Sequence, residues 1–495
     1  MLSKIFSGKS FSPLLLLSLI TIINTVRNKF FFFPPAITGV IIFSLSVFVT
    51  GFITYRLLLF LIKERNKVIA LSCVILIIIF FYYDIFYLLF EIKFINDFVY
   101  ITAHQKFHFF LILLLSIIIL LVFFYLRKTK RKLTTFNLFL KVFFILLLLF
   151  EISKIFFGKE FIVKAEKGFT PTDLELLPDS KPDIYYLVFD AYTSSASLKK
   201  YWHYDNKELK GFLSEKGFFI AEKSRCNYNS TPFSILSALN MSYLNIQMRE
   251  DAQRTHISKV FEEVKKNAVA ELLANNGYDI VNLSPFDMGK RDAFYTEPYY
   301  HKTSLFDRTI FYLVTDKLNL TEEKKLFENL EEVNPEIINR ISSLKKNTKP
   351  IFCYAHIMLP HEPFFYDENG HKMPDGYALN SENRTGKYLS QLKYTNKIIT
   401  QLVENINEKS KTKPVIIIQG DHGYRYLEEL DYADQLEESE TIFNAYLLPD
   451  DSLQNLLYDS ITPVNSFRII FNNCFRTSLP LLKDQCYNTE IRNKK

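Results

Sequence analysis

Several things are scarce in this sequence of 495 residues, which holds one Trp, 14 Gly and five Cys. So little Gly excludes a collagen-like repeat, and so few Cys exclude a disulfide-dense scaffold. No apolar heptad is sustained, which sets aside a coiled coil, and no Gly-rich phosphate loop or nucleic-acid patch is visible. Neither charge sign dominates, because 59 Lys and Arg against 53 Asp and Glu leave a net charge of +6. Charged residues at 23% rule out wholesale disorder. At roughly 150 residues per domain, the length allows about three units.

What is abundant is aromatic and apolar, with 48 Phe and 29 Tyr. The mean hydropathy of +0.05 conceals a division. The first third is almost continuous apolar sequence and the rest is densely charged. A membrane span needs about 20 apolar residues. Five are expected, near residues 12 to 33, 36 to 60, 68 to 90, 108 to 126 and 136 to 157. The first is interrupted by Arg27 and Lys29, the fifth by Lys141, Glu151 and Lys154. A signal peptide is disfavoured because no small-residue cleavage site follows Val26 and further spans come after it.

Orientation follows from basic loops, which stay in the cytoplasm. Arg127, Lys128, Lys130, Arg131 and Lys132 form the decisive loop. Lys63, Arg65 and Lys67 lie two spans earlier, and Lys4 and Lys9 sit at the terminus, so all three clusters agree with five spans. Arg27 and Lys29 dissent and are expected to snorkel to the outer surface, and Arg56, Asp84 and Lys141 lie near span ends. The chain after about residue 158 is therefore expected outside the cytoplasm, and the +6 reads as a topology signal. The expected organisation is a transmembrane helical domain over 1–157, a linker over 158–182 and an extracytoplasmic catalytic domain over 183–495.

Beyond the linker, short strands alternate with amphipathic segments, the pattern of an α/β domain. Strands are expected at Ile184 to Phe189, Ile280 to Leu283, Ile351 to Ala355 and Val415 to Gln419. Their continuous apolar character suits a largely parallel sheet buried on both faces. The first runs into Asp190, the third into His356 and His361, the fourth into Asp421 and His422. Ligand sites of open α/β sheets gather at the carboxyl ends of strands, so three strands deliver Asp or His to one place. A strand-end Asp is also a common helix cap, and a lone His in an apolar segment is also a common structural residue.

The segment from Ser224 to Asn240 offers a nucleophile, because Thr231-Pro232 suits the first turn of a helix whose N-terminus attracts anions. Thr231 is equally compatible with a helix-capping role, and Ser230 remains a rival nucleophile. A Thr hydroxyl needs a base or metal to become nucleophilic. Asp190, Asp421 and His422 are the types that hold one divalent metal, zinc first from the mixed O and N set, with manganese or magnesium as alternatives.

Taken in order, Asp190 after a strand, Asn227-Tyr228 ahead of Thr231 and Ser234, His356 and His361 in HIMLPHEPF, and Gly420-Asp421-His422-Gly423 resemble the sulfatase-like branch of the alkaline phosphatase superfamily. The five-span anchor resembles its membrane-bound members, the lipoteichoic acid synthases and lipid A phosphoethanolamine transferases. The resemblance covers residues 182 to 475. It implies an alkaline-phosphatase-like domain with a mostly parallel sheet. Thr231 would be the metal-activated nucleophile, and Asp190, Asp421 and His422 its metal ligands. His361, supported by His356, would contact the transferred group or protonate the leaving oxygen.

The departures narrow this reading. Ser230-Thr-Pro-Phe-Ser234 has Ser where a formylglycine motif needs Arg, and Cys226 does not fit that motif either. No His follows His422, where phosphoethanolamine transferases carry one, so a single metal is expected. Lipoteichoic acid synthases use Glu where this chain has Asp190. The expectation is a transferase moving a phospho-substituent from a phospholipid donor to an envelope glycan or lipid acceptor. The rivals are a hydrolase of phosphate or sulfate esters and a non-catalytic envelope protein. An aromatic stretch with Phe286, Phe294, Tyr295, Tyr299, Tyr300 and Phe306 suits either an acceptor-binding cap or membrane-side packing. Cys474 and Cys486 are a candidate disulfide outside the cytoplasm.

Overall fold

The structure is a computed structural model. It describes residues 12–29, 37–90, 104–157, 162–165, 181–246, 255–297, 300, 304–317, 322–344, 349–374, 383–427, 430–449, 456–475 and 477–489. Lys4, Lys9 and most of the expected linker lie outside the described residues. The chain divides into two compact units. One is Met1–Lys159 with Tyr299–Lys325 and Lys494–Lys495, the other Glu160–Pro298 with Leu326–Asn493.

The first unit is helical, with helices Ser12–Lys29, Ile37–Ile62, Arg65–Phe80, Tyr82–Phe90, His104–Lys128 and Thr134–Phe157. Their sequences are apolar around most of the circumference, so each buries one side against neighbours and leaves another apolar side exposed. Leu17, Phe43, Val47, Ile69 and Leu76 are buried in one cluster, which Leu305, far along the chain, completes. Ile37, Phe60 and Leu121 are 79%, 81% and 65% exposed, as expected of a surface facing lipid. Among the described residues, two helices are long and apolar enough to cross a membrane, Ile37–Ile62 and Phe107–Lys128, and Pro13–Arg27 is a shorter apolar helix. The bundle of five spans is thus matched only in part. The expected third span is divided at Phe81, where φ and ψ leave the helical region (−117°, 27°).

The charges that interrupt the first and fifth expected spans answer one another. Arg27 Nε lies 3.3 Å from Glu151 Oε2, and Lys154 Nζ lies 2.8 Å from Glu151 Oε1. Pairing, rather than snorkelling alone, accommodates Arg27. Asp84 is likewise paired, with Arg308 Nη1 at 2.7 Å.

The second unit is a mixed α/β domain. Six strands, β1 (Ile184–Phe189), β2 (Phe219–Ile220), β3 (Asp279–Leu283), β4 (Ile351–Ile357), β5 (Val415–Gly420) and β6 (Asn444–Leu447), form one sheet in the order β2-β6-β5-β1-β4-β3. β5, β1, β4 and β3 are parallel, while β6 is antiparallel to both β5 and β2. Every residue of β1, β4 and β5 is buried, which explains their unbroken apolar runs. Helix Pro463–Phe475 packs Phe467 edge-on against Tyr186 of β1 and Phe352 of β4, at centroid separations of 5.2 and 5.8 Å.

β4 runs two residues further than its apolar run suggests, because β1 still supplies partners. Val188 faces His356 and Phe189 faces Ile357 in the register. His356 therefore sits inside a strand, while Asp190 and Asp421 directly follow β1 and β5. β2 and β6 were not expected. The first has two residues, and the second opens on a buried Asn, so neither shows an apolar run.

Candidate active site

Adjacent parallel strands β1 and β5 end in register, Phe189 opposite Gly420, so Asp190 and Asp421 emerge side by side. Both are buried, as is His422. The turn after β1 is held in an uncommon conformation, with Ala191 at φ 59°. Ala191 N donates to Asp421 Oδ1 at 3.0 Å and Tyr388 Oη donates to Ala191 O at 2.8 Å. The glycines bracketing Asp421-His422 are dictated by close backbone approach. A Cβ on Gly420 would meet Tyr192 O at 2.4 Å, and one on Gly423 would meet both Glu438 O and Thr441 O at 2.4 Å.

Each of the three side chains uses one polar atom internally and leaves one over. Asp421 Oδ1 is taken by Ala191 N, and Oδ2 has no hydrogen-bond partner. His422 Nδ1 donates to Gly423 O at 2.8 Å, so Nε2 carries the lone pair, and it too has no hydrogen-bond partner. Asp190 Oδ2 faces His356 Nε2 at 3.2 Å while Oδ1 has none. Buried polar atoms are normally satisfied, and three unsatisfied ones together need a reason.

Their spacing supplies it. His422 Nε2 lies 3.5 Å from Asp190 Oδ1 and 3.6 Å from Asp421 Oδ2. Ligands about 2.0–2.2 Å from zinc in a tetrahedron sit about 3.3–3.6 Å apart. The set of one imidazole and two carboxylates therefore fits a divalent metal in donor type, burial and separation. His356 belongs to the same cluster, its ligand-capable atom within 4.8 Å of those of Asp190 and Asp421. Both its nitrogens already have partners, however, because Nδ1 meets Tyr354 Oη at 3.1 Å. Burial pushes the Tyr354 phenol well above its ordinary value, so it stays protonated and donates to Nδ1. His356 Nε2–H then donates to Asp190 Oδ2. This is an orienting role, the usual one for a hydrogen-bonded neighbour of a ligand.

The electrostatics agree. Burial would raise the Asp190 carboxyl, but the imidazoles of His361, His356 and His422 outweigh it and hold the group well below the usual carboxylate range. Burial, and after it the Arg425 guanidinium, brings His422 down to about 4 against the pull of Asp421 and Asp190. At neutral pH the site thus presents the Asp190 carboxylate and a neutral His422 imidazole, the forms that bind metal.

Thr231 opens helix Thr231–Asn240, with Pro232 in its first turn. Ser230 is the N-cap residue in extended conformation, yet its side chain makes no cap hydrogen bond. Pro232 carries no N–H, and Phe233 N and Ser234 N donate to Ser230 O at 3.1 and 2.9 Å, so the Ser230 carbonyl, not its side chain, closes the first turn. Ser234 Oγ donates to Asp421 O at 2.7 Å and fastens this helix to the loop that carries Asp421 and His422. Asn227 and Tyr228 are structural. Asn227 bonds Gln485 O and Val464 N, and Tyr228 Oη accepts from Leu244 N.

His361 lies beside His422, ring centroids 6.2 Å apart, and its backbone N donates to Asp190 O at 3.1 Å. A small cavity is lined by Ala191, His361, His422, Tyr424, Arg425 and Tyr426. Arg425 is the residue missed in the sequence. Its Nε and Nη2 are buried with no hydrogen-bond partner, so part of a guanidinium fork is left over beside the cluster. A lone Arg three residues past an Asp-His pair gives no signal of this. The aromatic stretch divides between the two units. Tyr295 Oη donates to His356 O at 3.1 Å and Phe286 packs against the His356 ring in the second, whereas Phe306 and Phe311 pack on the helical cluster of the first. Phe294 N donates to Ser284 O at 2.8 Å, and Tyr299 lies outside the described residues.

A mostly parallel α/β sheet, Asp and His at the carboxyl ends of its parallel strands and a hydroxyl-bearing helix N-terminus beside them define a class. The family described as Sulfatase matches residues 228–451, so this part of the chain is a sulfatase-like domain of the hydrolase and transferase type. The match begins after Asp190 and includes Thr231, His356, His361, Asp421 and His422. Among solved structures, the chain is similar to the C-terminal periplasmic domain of EcEptC from Escherichia coli. Identity is 12%, coverage 64% of this chain and 85% of that one, and the TM-score 0.38. It is also similar to the C-terminal periplasmic domain of phosphoethanolamine transferase EptC from Campylobacter jejuni, at 14% identity, 61% and 92% coverage and TM-score 0.38. Integral membrane lipooligosaccharide phosphoethanolamine transferase A (EptA) from Neisseria meningitidis is matched over 94% of both chains at 13% identity and TM-score 0.38. A comparison with the curated proteins finds no match.

Proposed function

We propose that the protein is a membrane-anchored, metal-dependent transferase that moves a phospho-substituent, such as phosphoethanolamine or phosphoglycerol, from a lipid to an envelope glycan or lipid through an ester on Thr231. The observation that carries this reading is the trio of unpartnered buried atoms, Asp190 Oδ1, Asp421 Oδ2 and His422 Nε2, the last two on a loop fastened to the helix that Thr231 begins. Asp190, Asp421, His422 and Thr231 would hold one metal, zinc by preference and manganese or magnesium otherwise. When bound, it lowers the pKa of the Thr231 hydroxyl and polarises the phosphoryl oxygen.

The chain's own residues do the rest. Thr231 Oγ forms a bond to phosphorus as the bond to the lipid oxygen breaks, and His361 gives that oxygen its proton. An acceptor hydroxyl then attacks phosphorus, the Thr231 ester breaks, and the acceptor proton returns to His361. The Nε and Nη2 donors of Arg425 suit two oxygens of the transferred group. His356 holds Asp190 in place through Oδ2. A lipid donor is favoured by apolar helices in the same chain. We place the anchor as a multi-pass element of the cytoplasmic membrane, with the basic loops inside and the α/β domain outside.

Intact-mass measurement tests this directly. The full chain in detergent, supplied with zinc and vesicles of phosphatidylethanolamine or phosphatidylglycerol, should gain an adduct whose mass names the group. Thr231→Ala should abolish the adduct and lower turnover by on the order of 10⁴-fold or more, while Ser230→Ala keeps both. The reverse pattern would make Ser230 the nucleophile. A group released only into water, with none on any acceptor, would make the enzyme a hydrolase.

A further inference from the structure

Cys486 was expected beside Cys474, but its sulfur lies 3.9 Å from that of Cys226, 260 residues earlier in the chain. The backbones around the two thiols are already fastened together. Tyr228 and Tyr487 form a parallel bridge, Tyr487 N donates to Asn227 O at 2.8 Å, and Thr489 N donates to Asn229 Oδ1 at 2.8 Å. Asn227 Nδ2 reaches Gln485 O at 2.9 Å. Residues 485–489 thus lie along 227–229, the approach to Thr231, and the sulfurs meet at one end of that ladder. Cys226 is fully buried while Cys486 is half-buried. Cys474 is held in helix Pro463–Phe475.

We propose that Cys226 and Cys486 form a disulfide that staples the C-terminal segment to the stretch leading into the Thr231 helix. The closing motion is small, because an S–S bond of about 2.05 Å needs each sulfur to move about 1 Å, within reach of side-chain rotation. Two thiols lose two protons and two electrons and gain one S–S bond. The electrons pass to a disulfide-bearing oxidant of the cell envelope, whose own S–S bond is cleaved to two thiols. Cys486, the more exposed sulfur, is where exchange with that oxidant begins. The staple rests on the outside placement proposed above, since a cytoplasmic domain would be kept reduced.

The test is peptide mapping of the full chain purified from membranes, with free thiols trapped by N-ethylmaleimide before lysis. The expected result is a Cys226–Cys486 linked peptide pair that separates on reduction, with Cys353 and Cys474 alkylated. Cys486→Ser should lower the thermal midpoint by several degrees, and added reductant should lower the wild type to the same value without moving the variant. Alkylation of both Cys226 and Cys486, or a Cys474–Cys486 link, overturns the proposal. If both are alkylated, diamide treatment of the purified protein separates the causes. Formation of the Cys226–Cys486 link would leave the geometry intact and place the failure in the topology, while its absence would place it in the pairing.

Discussion

Both units contain unbroken apolar runs and use them in opposite ways. Strands β1, β4 and β5 bury every residue, and helices complete the enclosure. Helices Ile37–Ile62 and His104–Lys128 leave Ile37, Phe60, Ile117 and Leu121 at 45–81% exposure. A continuous apolar run therefore states only that water is excluded, by protein in one case and by a bilayer in the other. Length decides between them, since six or seven strand residues are about 20 Å long and 25 helical residues more than 35 Å. Charges follow the same division. In the α/β domain the Asp and His side chains gather in one cluster with atoms left for a ligand, whereas Arg27 and Glu151 in the helical unit cancel each other.

The sharpest way to probe the difference is to remove a leftover donor from the α/β domain. Arg425→Ala should lower turnover by about 10²–10³-fold, as loss of a preorganised donor does. Metal content, read by elemental analysis, should stay unchanged, and Arg425→Lys should restore only part of the rate because one point charge replaces a fork. Loss of metal in the same variant would show that Arg425 supports the ligands instead. On the helical side, Ile117→Arg at the middle of Phe107–Lys128 should cost about 2.5–3.5 kcal/mol of insertion free energy. A glycosylation or protease-protection assay reads the inserted fraction, and unchanged insertion would mean that this face meets protein rather than lipid. The smallest expected effect is on His356. His356→Ala should weaken metal binding by about 10–100-fold, and Tyr354→Phe by less, because both act on Asp190 from behind. Competition with a chelator measures it, and abolished binding in His356→Ala would make His356 a ligand.

Much of this was readable in the sequence. The four parallel strands announced themselves as apolar runs, and β1 spans Ile184–Phe189 as expected. Asp190, Asp421 and His422 were legible because strand ends fix where a following residue emerges. His356 was read as lying beyond β4, since apolarity fades at Ala355 while the hydrogen-bonded register continues to Ile357. β6 stayed hidden because Asn444 is buried by hydrogen bonding, Nδ2 donating to Ser224 Oγ and Tyr446 Oη, and not by apolarity. Arg425 and the Cys226–Cys486 pair depend on loop geometry and on contacts across 260 residues, which no local pattern carries. The span count is matched only in part, and apolar length alone does not reveal the division at Phe81.

One feature of the chain path constrains how the protein can be taken apart. The segment Tyr299–Lys325 belongs to the helical unit although it falls between β3 and β4 of the sheet. The polypeptide accordingly passes from one unit to the other at residue 160, again at 299, and back at 326. A cut in the connector near 158–182 leaves the two halves covalently joined. A truncated chain begun at residue 183 would still carry Leu305, Phe306 and Phe311, stripped of the Phe43 and Phe80 rings they pack on. Anyone wishing to study the α/β half alone needs to excise an internal loop as well as an N-terminus, or accept a sticky apolar tag in the middle of the enzyme.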